Sequence, residues 1–364
     1  MSFVQNLQAL TATVIVSLAV SWDTASADAL DIYFIDVEGG QSTLVVTPAG
    51  ETLLIDAGYA GQGKSNPVPG DAKNSRDAQR VTAAARDAGI SHIDNLLVTH
   101  FHQDHFGGVK ELSQLISIGT IIDHDTPAPE ALVKPGRKEL FDSYVEVREK
   151  GNHIVPAVGD RIPMEGIEVT VVSTAGSTLQ SSLVNAGAIN TACDRTVPGG
   201  GDRYENPRST GILLQYGEFR FLDLGDLNDQ PLSNLVCPID RIGSVDVYLV
   251  SHHGGADVAD PATFEAFRPR VAILNNGANK GGAAEIFDVL RDAEGLDDVW
   301  QIHRSEAKGA ENFSDERIAN LDEQTAHWIK ISASSDGSFR IFNGRTGDWK
   351  DYDVGYTTKA RLPD

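Results

Sequence analysis

Residues 97–108 read Leu-Val-Thr-His-Phe-His-Gln-Asp-His-Phe-Gly-Gly, an apolar strand that runs into a dense polar motif. Four side chains of this motif can bind metal, namely His100, His102, Asp104 and His105. Side chains alternate along an extended segment, so His100 and His102 point the same way and can hold one ion together. Asp104 and His105 stand where the chain turns into a helix, and they face a neighbouring position. The motif therefore predicts two half-sites, suited to a pair of metal ions ~3.5–4 Å apart.

On either side of the motif, predicted strands alternate with predicted helices. A β-meander over 30–36, 42–47 and 52–55 ends at Asp56. Later strands are predicted at 94–99, 120–123, 167–173, 211–223 (a hairpin), 245–250, 271–274, 299–302, 329–332 and 338–341, and helices at 75–89, from about 104, and at 138–150. The chain has no internal repeat and no clear linker, so we expect one layered α/β domain.

Two later strand ends carry further metal-capable side chains. Asp226 ends the stretch Phe221-Leu-Asp-Leu-Gly-Asp226, where its carboxylate can bridge two divalent ions and offset their repulsion. Taken alone, Asp226 is equally well explained as a helix cap, but the histidine motif favours bridging. His252 and His253 follow an apolar strand, and adjacent strand residues point to opposite sides. We therefore expect one metal ligand, His252 by its position, while His253 contacts either the substrate or a residue that binds the metal.

The spacing His-x-His-x-Asp-His after a strand resembles the metallo-β-lactamase superfamily, whose fold is a four-layer αββα sandwich. The segments Phe34-Ile-Asp-Val-Glu-Gly-Gly-Gln41 and Leu53-Leu-Ile-Asp-Ala-Gly58 resemble its first sheet. The resemblance implies that Asp56 supports the histidine loop from behind, that Asp226 bridges the metals, and that Val250-Ser-His-His-Gly-Gly255 is the last ligand motif. Within the superfamily, the Asp-Val-x-x-Gly and His-His-Gly segments are similar to the metal-dependent domain of competence DNA-uptake proteins.

One departure concerns a further histidine ligand that many superfamily members carry between the histidine motif and the bridging aspartate. Only His124 and His153 lie in that interval, and His153 is interpreted as a surface residue. His124 either faces the site or ends a strand without a role there. In the segment Glu205-Asn-Pro-Arg-Ser209, Asn206 or Ser209 could supply a weak oxygen ligand or bind substrate.

The resemblance and the residues together predict a metal-dependent hydrolase. Two zinc ions would generate a hydroxide that attacks a small ester, lactone or amide, with Asp104 orienting the nucleophile and His253 contacting substrate. Manganese or iron would also suit histidine and carboxylate ligands. A phosphodiesterase or nuclease, and a non-catalytic metal-binding relative, are the alternatives. The loops at 61–74 and 174–209 are predicted to form the substrate-facing rim.

The amino-acid composition of this 364-residue chain limits the classes of partner that it can bind. Its 30 Lys and Arg against 52 Asp and Glu give a net charge of −22, which disfavours bulk binding to nucleic acid or anionic lipid. We expect a small-molecule substrate. Two cysteines are too few for a zinc ribbon, a cysteine-ligated iron–sulfur cluster or a disulfide framework.

The N-terminus resembles an export signal. The apolar run 9–22 is too short to span a bilayer comfortably, and Ala25-Ser26-Ala27 matches an A-x-A cleavage pattern. We therefore predict a signal peptide at 1–27, a hydrolase domain at 28–364, a periplasmic or secreted location, and no stable membrane insertion after cleavage. The segment lacks Lys and Arg, so an uncleaved helix or anchor is the alternative. Export would allow Cys193 and Cys237 to pair, although two buried thiols are equally compatible with the sequence.

Overall fold

A computed structural model describes residues 29–63, 69–193 and 202–354. The predicted signal peptide at 1–27 lies outside the described residues, as do parts of both predicted rim loops. The helices are α1 (Arg76–Asp87), α2 (Gln103–Phe106), α3 (Val109–Leu115), α4 (Arg137–Arg148), α5 (Asp229–Val236), α6 (Pro261–Phe267) and α7 (Ala284–Asp292). None of the helices in these ranges is long and apolar enough to cross a membrane.

The strands form two large sheets. The strands are β1 (Leu30–Phe34), β2 (Thr43–Val46), β3 (Thr52–Ile55), β4 (His92–Leu97), β5 (Ser117–Ile122), β6 (Asn152–Ile154), β7 (Arg161–Ile162), β8 (Glu168–Thr174), β9 (Ser177–Thr178), β10 (Gly211–Tyr216), β11 (Phe219–Asp223), β12 (Val247–Leu249), β13 (Val271–Leu274), β14 (Asp298–His303), β15 (Ile318–Asn320), β16 (Ile329–Ala333), β17 (Phe339–Asn343) and β18 (Trp349–Tyr352). The first sheet has the order β18-β17-β16-β1-β2-β3-β4-β5-β6, and the second has the order β15-β14-β13-β12-β11-β10-β8-β7, with β9 paired to β8.

Three apolar layers hold the sheets and helices together. Side chains from both sheets form the central layer, where the Phe34 and Phe221 rings meet edge to face at 5.7 Å. Helices α1, α3 and α4 cover the outer face of the first sheet, and α5, α6 and α7 cover that of the second. In β1, Ile32 and Phe34 enter the central layer while Tyr33 enters the outer one, which explains the near-continuous apolar run. The predicted four-layer αββα sandwich is confirmed.

The strand directions determine where the polar motifs meet. The meander β1–β2–β3 is antiparallel, whereas β3, β4 and β5 run parallel. In the second sheet β11, β12 and β13 also run parallel. The carboxyl ends of parallel strands lie at one edge of a sheet, so the residues that follow these strands gather at that edge.

Some predicted elements differ from the observed ones. The single helix predicted from about residue 104 is two short helices, α2 and α3, separated by Gly107 and Gly108. A Cβ on Gly107 would lie 2.1 Å from the Gln103 carbonyl oxygen, and one on Gly108 would lie 2.2 Å from that of Ala57. Only glycine allows this close approach of the helix start to the end of β3.

The long segment predicted as a loop at 174–209 contains more order than expected. It includes β9 and a 3-10 turn at Asn206–Arg208. Cys193 forms a disulfide with Cys237, at the end of α5. The sequence was compatible with a disulfide or with two buried thiols, and the structure has the disulfide. The bridge ties the loop to the second sheet's helical layer.

Candidate metal centre

The candidate site lies where the polar motifs of both sheets meet. Asp56 follows β3, and the histidine motif follows β4. From the second sheet, Asp226 follows β11, and His252 and His253 follow β12. The site is therefore assembled from strand ends that are far apart in sequence.

Two groups of ligand-capable atoms share one carboxylate. In the first group, such atoms of Asp104, His105, Asp226 and His253 lie within 4.8 Å of one another. His100, His102 and Asp226 form the second group, in which His100 Nε2 is 2.9 Å from His102 Nδ1. The structure thus brings together the two predicted half-sites around Asp226. Their binding of metal stays a prediction.

The buried atoms of the first group suit a divalent cation. His105 Nε2 is 3.2 Å from Asp226 Oδ2, and His253 Nε2 is 3.3 Å from Asp226 Oδ1. His105 Nε2 and Asp226 Oδ1 are fully buried, and neither forms a hydrogen bond of good geometry within the described residues. Buried polar atoms without a partner are costly, whereas converging imidazole nitrogens and carboxylate oxygens are the ligands of zinc and similar ions.

The electrostatics of the group also favour a cation. Burial alone would raise the pKa of Asp226, but His105, His253 and His252 outweigh it and hold that pKa well below its usual range. The pKa of Asp104 is likewise held well below its usual range, because Lys280 and His105 outweigh its burial. Both carboxylates therefore stay ionised at neutral pH, as metal ligation requires.

Asp56 fixes the orientation of His105 from behind. Its Oδ2 is 2.6 Å from His105 Nδ1, and its two oxygens accept hydrogen bonds from the Thr99 amide and hydroxyl at 2.8 and 2.7 Å. The contact leaves His105 Nε2 facing Asp104 and Asp226. A carboxylate behind a ligating histidine is a common arrangement in metal sites, and it is the position that the resemblance implied for Asp56.

His252 and His253 do not point to opposite sides, contrary to our expectation. The strand ends at Leu249, and both histidines have positive φ angles, 48° and 56°, so the alternation of a strand no longer applies. His253 is buried and belongs to the first group, 3.5 Å from Asp104 Oδ2. His252 lies outside both groups, with Nδ1 2.8 Å from Asp257 and Nε2 3.9 Å from Asp226 Oδ2. The geometry therefore favours His253 over His252 as a ligand of the first group.

Neither His124 nor His153, the two histidines considered for the missing ligand, belongs to either group. His124 is buried against the Phe101 ring, with Nε2 3.1 Å from Glu205 Oε1. Asn206 and Ser209 are buried, and their side-chain polar atoms form no hydrogen bond within the described residues. They remain candidates for a ligand or substrate contact. Both ring nitrogens of His124 are likewise buried without a hydrogen bond of good geometry in these ranges, so a role of His124 at the site stays a prediction.

The sequence analysis missed two charged residues near the centre. Glu205 accepts hydrogen bonds from the amides of Phe101 and Ala128 at 2.9 and 2.7 Å, which ties the long loop to the histidine motif. Lys280 contacts the Asp104 carboxylate and lies 3.3 Å from His253 Nε2. Glu205 begins the segment 205–209, in which only Asn206 and Ser209 were considered, and Lys280 stands in no recognisable motif, so only the fold reveals these contacts.

The metallo-beta-lactamase superfamily model matches residues 35–187. The search of curated proteins found no match.

Several solved structures resemble the chain at low identity. The diiron β-hydroxylase CmlA from Streptomyces venezuelae is 15% identical with a TM-score of 0.37, covering 68% of this chain and 44% of CmlA. The chain thus spans less than half the length of that protein. The metallo-beta-lactamase fold protein YhfI from Bacillus subtilis is 9% identical with a TM-score of 0.42, covering 75% and 96%. The subclass B3 metallo-beta-lactamase MEM-A1 from a soil metagenome is 14% identical with a TM-score of 0.37, covering 62% and 78%.

Proposed function

Because the chain has the metallo-β-lactamase fold and residues 35–187 match that superfamily's model, we propose that it is a metal-dependent hydrolase acting on a small ester, lactone or amide. The observation that carries the proposal is the pair of ligand groups that share Asp226 at the meeting edge of the two sheets. A site built only to retain one ion would not need two such groups.

Each residue of the site has a role in this proposal. Asp104, His105, Asp226 and His253 would hold one ion, and His100, His102 and Asp226 the other. Bound divalent ions would supply a Lewis acid and an activated water. Asp104 faces the centre from the start of α2, and it would also orient the attacking water and accept its proton. Both cysteines are bonded to each other, so neither thiol is available as a covalent nucleophile.

The metal in this proposal is zinc. Histidine and carboxylate ligands suit zinc, and they suit manganese or iron as well. Metal analysis of the purified protein distinguishes these ions.

The same proposal includes export. We propose that residues 1–27 are a signal peptide and that the mature protein is periplasmic or secreted. The disulfide between Cys193 and Cys237 supports this, because disulfides persist in oxidising compartments. Mass spectrometry of the mature N-terminus tests the cleavage after Ala27.

Metal content and turnover together test the proposed activity. The purified protein is analysed by elemental mass spectrometry, and it is assayed on a chromogenic lactone or ester, a β-lactam and a bis-aryl phosphodiester. About two metals per chain with chelator-sensitive turnover of the first probe supports the proposal. Turnover of the phosphodiester alone would replace it with a phosphodiesterase, and metal without turnover would indicate a binding protein.

A matched pair of variants links the metal to the site. Asp226→Ala should lose bound metal and turnover together, because Asp226 belongs to both groups. Asp288→Ala removes an exposed carboxylate from α7 and should change neither. Full activity of a rigorously metal-free sample would contradict the proposal.

A further inference from the structure

The adjacent residues His252 and His253 approach different oxygens of the carboxylate that the two ligand groups share. His253 Nε2 is 3.3 Å from Asp226 Oδ1, whereas His252 Nε2 is 3.9 Å from Asp226 Oδ2. His100, a member of the second group, lies at a similar distance from Oδ2, with its Nε2 at 3.7 Å. His252 is therefore about as close to the shared carboxylate as one of the second group's own histidines.

The contacts with Asp104 separate His252 from the histidines of the first group. His105 also lies near Asp226 Oδ2, at 3.2 Å, but its Nε2 is 3.5 Å from Asp104 Oδ2. His253 Nε2 is likewise 3.5 Å from that oxygen of Asp104. Within the described ranges His252 forms no such ion pair with Asp104. The first group already has four residues and the second only three, so His252 is placed to complete the second.

A carboxylate fixes the ring of His252 from behind. Asp257 Oδ1 and Oδ2 are 2.8 and 2.9 Å from His252 Nδ1, and Asp257 Oδ2 also accepts a hydrogen bond from Asn228 Nδ2 at 2.7 Å. Because a carboxylate can only accept, Nδ1 carries the proton and the lone pair of Nε2 faces the centre. The pair of Asp56 and His105 has the same arrangement, with the carboxylate on Nδ1 and Nε2 turned to the ligands.

The backbone of the turn that follows β12 is shaped for this contact. A Cβ on Gly255 would lie 2.7 Å from Asp257 Oδ1 and 3.3 Å from His252 Nδ1, so glycine leaves the room that the pair needs. The Gly255 amide donates to the His252 carbonyl oxygen at 2.9 Å. His252 itself has a φ of 48°, and such left-handed conformations in residues other than glycine are concentrated at functional sites.

We propose that His252 is a ligand of the ion held by the second group, and that Asp257 is the positioning residue that orients it. The two adjacent histidines then bind different ions, His253 the ion of the first group and His252 that of the second. This inference rests on the proposed metal-dependent function and extends the ligand set of its second ion. A histidine that only contacts substrate would leave metal affinity unchanged, so metal binding distinguishes the two roles.

Stepwise cobalt binding tests the assignment without an assay of turnover. The metal-free full chain is titrated with Co²⁺, and visible absorption with a competing chelating dye measures the affinity of each binding step. The wild type should bind two ions. His252→Gln should weaken one step about 10-fold or more, since loss of even an outer partner of a ligand costs about 10–100-fold in affinity. His102→Gln should weaken the same step, and His253→Gln the other. His92→Gln is the matched control, because His92 is exposed and its ring contacts Ser117, and it should change neither step.

Asp257→Asn tests the positioning role. The variant keeps the shape of the side chain but removes the charge behind His252, so it should weaken the same step as His252→Gln, by about 10-fold. Combining Asp257→Asn with His252→Gln should cost no more than His252→Gln alone, because Asp257 acts through His252. Asp288→Asn removes an exposed carboxylate from α7 and is the control for charge.

Circular dichroism verifies the fold of each variant, and Asp257→Asn carries the test if His252→Gln does not fold. Unchanged cobalt binding in both variants would overturn the proposal. So would a loss in the step that His253→Gln weakens, or a wild type that binds only one ion. Additive effects of the two substitutions would overturn the positioning role of Asp257. If both ions bind and no substrate is hydrolysed, the hydrolase proposal fails, and the titration still decides whether His252 is a ligand.

Discussion

At the scale of single residues, Lys280 contacts Asp104, so a metal ion should have to compete with the Lys280 ammonium for this carboxylate. Lys280→Met removes the ammonium that occupies Asp104 and His253. The metal no longer has to displace it, so its affinity should rise about 10-fold, the equivalent of ~1.4 kcal/mol. Competition with a chelating dye measures this. Lys308→Met, which removes an exposed lysine, is the control, and weaker metal binding in Lys280→Met than in the control would contradict the expectation.

The raised pKa of Asp246 predicts how the free energy of unfolding depends on pH. Burial raises the pKa of this carboxyl to about 6, although its bond from the Arg220 amide and the charge of Arg270 oppose the shift. The folded state therefore holds the proton more tightly than the unfolded state, whose pKa is near 3.8. The contribution of Asp246 is most favourable at low pH and declines as the pH rises from about 4 to about 6, by up to about 3 kcal/mol.

Asp246→Asn should remove this dependence. The amide keeps an acceptor for the Arg220 amide but does not titrate. The free energy of unfolding of the wild type, relative to the variant, should therefore be lower at pH 7.5 than at pH 4.5. Urea unfolding at both pH values measures it, with Asp288→Asn as the exposed control. A constant difference across this range would show that Asp246 is ionised throughout.

The sequence predicted the ligand-capable residues better than their orientation. His100, His102, Asp104, His105 and Asp226 meet as expected, because their spacing and the strand before them determine their place. The orientations of His252 and His253 depend on the left-handed backbone conformation of both residues. No local sequence pattern predicts this conformation for residues other than glycine. Lys280 lies in a loop that is far from Asp104 in sequence, and only the folded chain brings the two side chains together.

At the scale of elements, burial helped to predict strands only where the apolar run was long enough, since the short buried strand Ile318–Asn320 was not predicted. The run Val271–Leu274 is fully buried, and its bounds match the prediction. The strand Asn152–Ile154 is exposed at the edge of the first sheet, so it carries no apolar alternation and was not predicted. The break between α2 and α3 was missed because it depends on contacts of Gly107 and Gly108 with the neighbouring meander.

The disulfide should stabilise the second sheet's long loop substantially. Cys193 and Cys237 are 44 residues apart, and closing a loop of that length lowers the entropy of the unfolded chain by the equivalent of about 4 kcal/mol. Cys193→Ser with Cys237→Ser should lower the free energy of unfolding by up to that amount. Urea unfolding of oxidised and reduced wild type provides the control, because reduction should reproduce the effect. Equal stability of oxidised protein and variant would contradict this expectation.

The loop also connects to the candidate site. Glu205 holds the Phe101 amide between His100 and His102, and Asp202 Oδ2 is 3.8 Å from His102 Nε2. Loosening the loop should therefore disturb the second ligand group before the first. The disulfide variant thus offers a way to compare the two groups by their metal affinities.

At the scale of the whole molecule, the candidate centre joins the two sheets. Asp104 and His105 follow strands of the first sheet, and Asp226 and His253 follow strands of the second. Nearby, Gln41 Nε2 donates to both oxygens of the buried Asp223 at 3.0 and 2.8 Å, a further link between the sheets. The polar contacts across this edge add to the apolar contacts of the central layer. The candidate site and the fold therefore both depend on the packing of one sheet against the other.

Metal binding should therefore stabilise the fold as one unit. A ligand that binds only the folded state at 100 times its dissociation constant adds ~2.7 kcal/mol to the free energy of unfolding. Because the ligands come from both sheets, we expect metal to shift a single cooperative transition, which urea unfolding followed by circular dichroism and tryptophan fluorescence can measure. Asp226→Ala should abolish the shift, whereas Asp288→Ala should retain it. Separate transitions for the two probes, with only one moved by metal, would mean that the sheets unfold independently and that the centre does not join them.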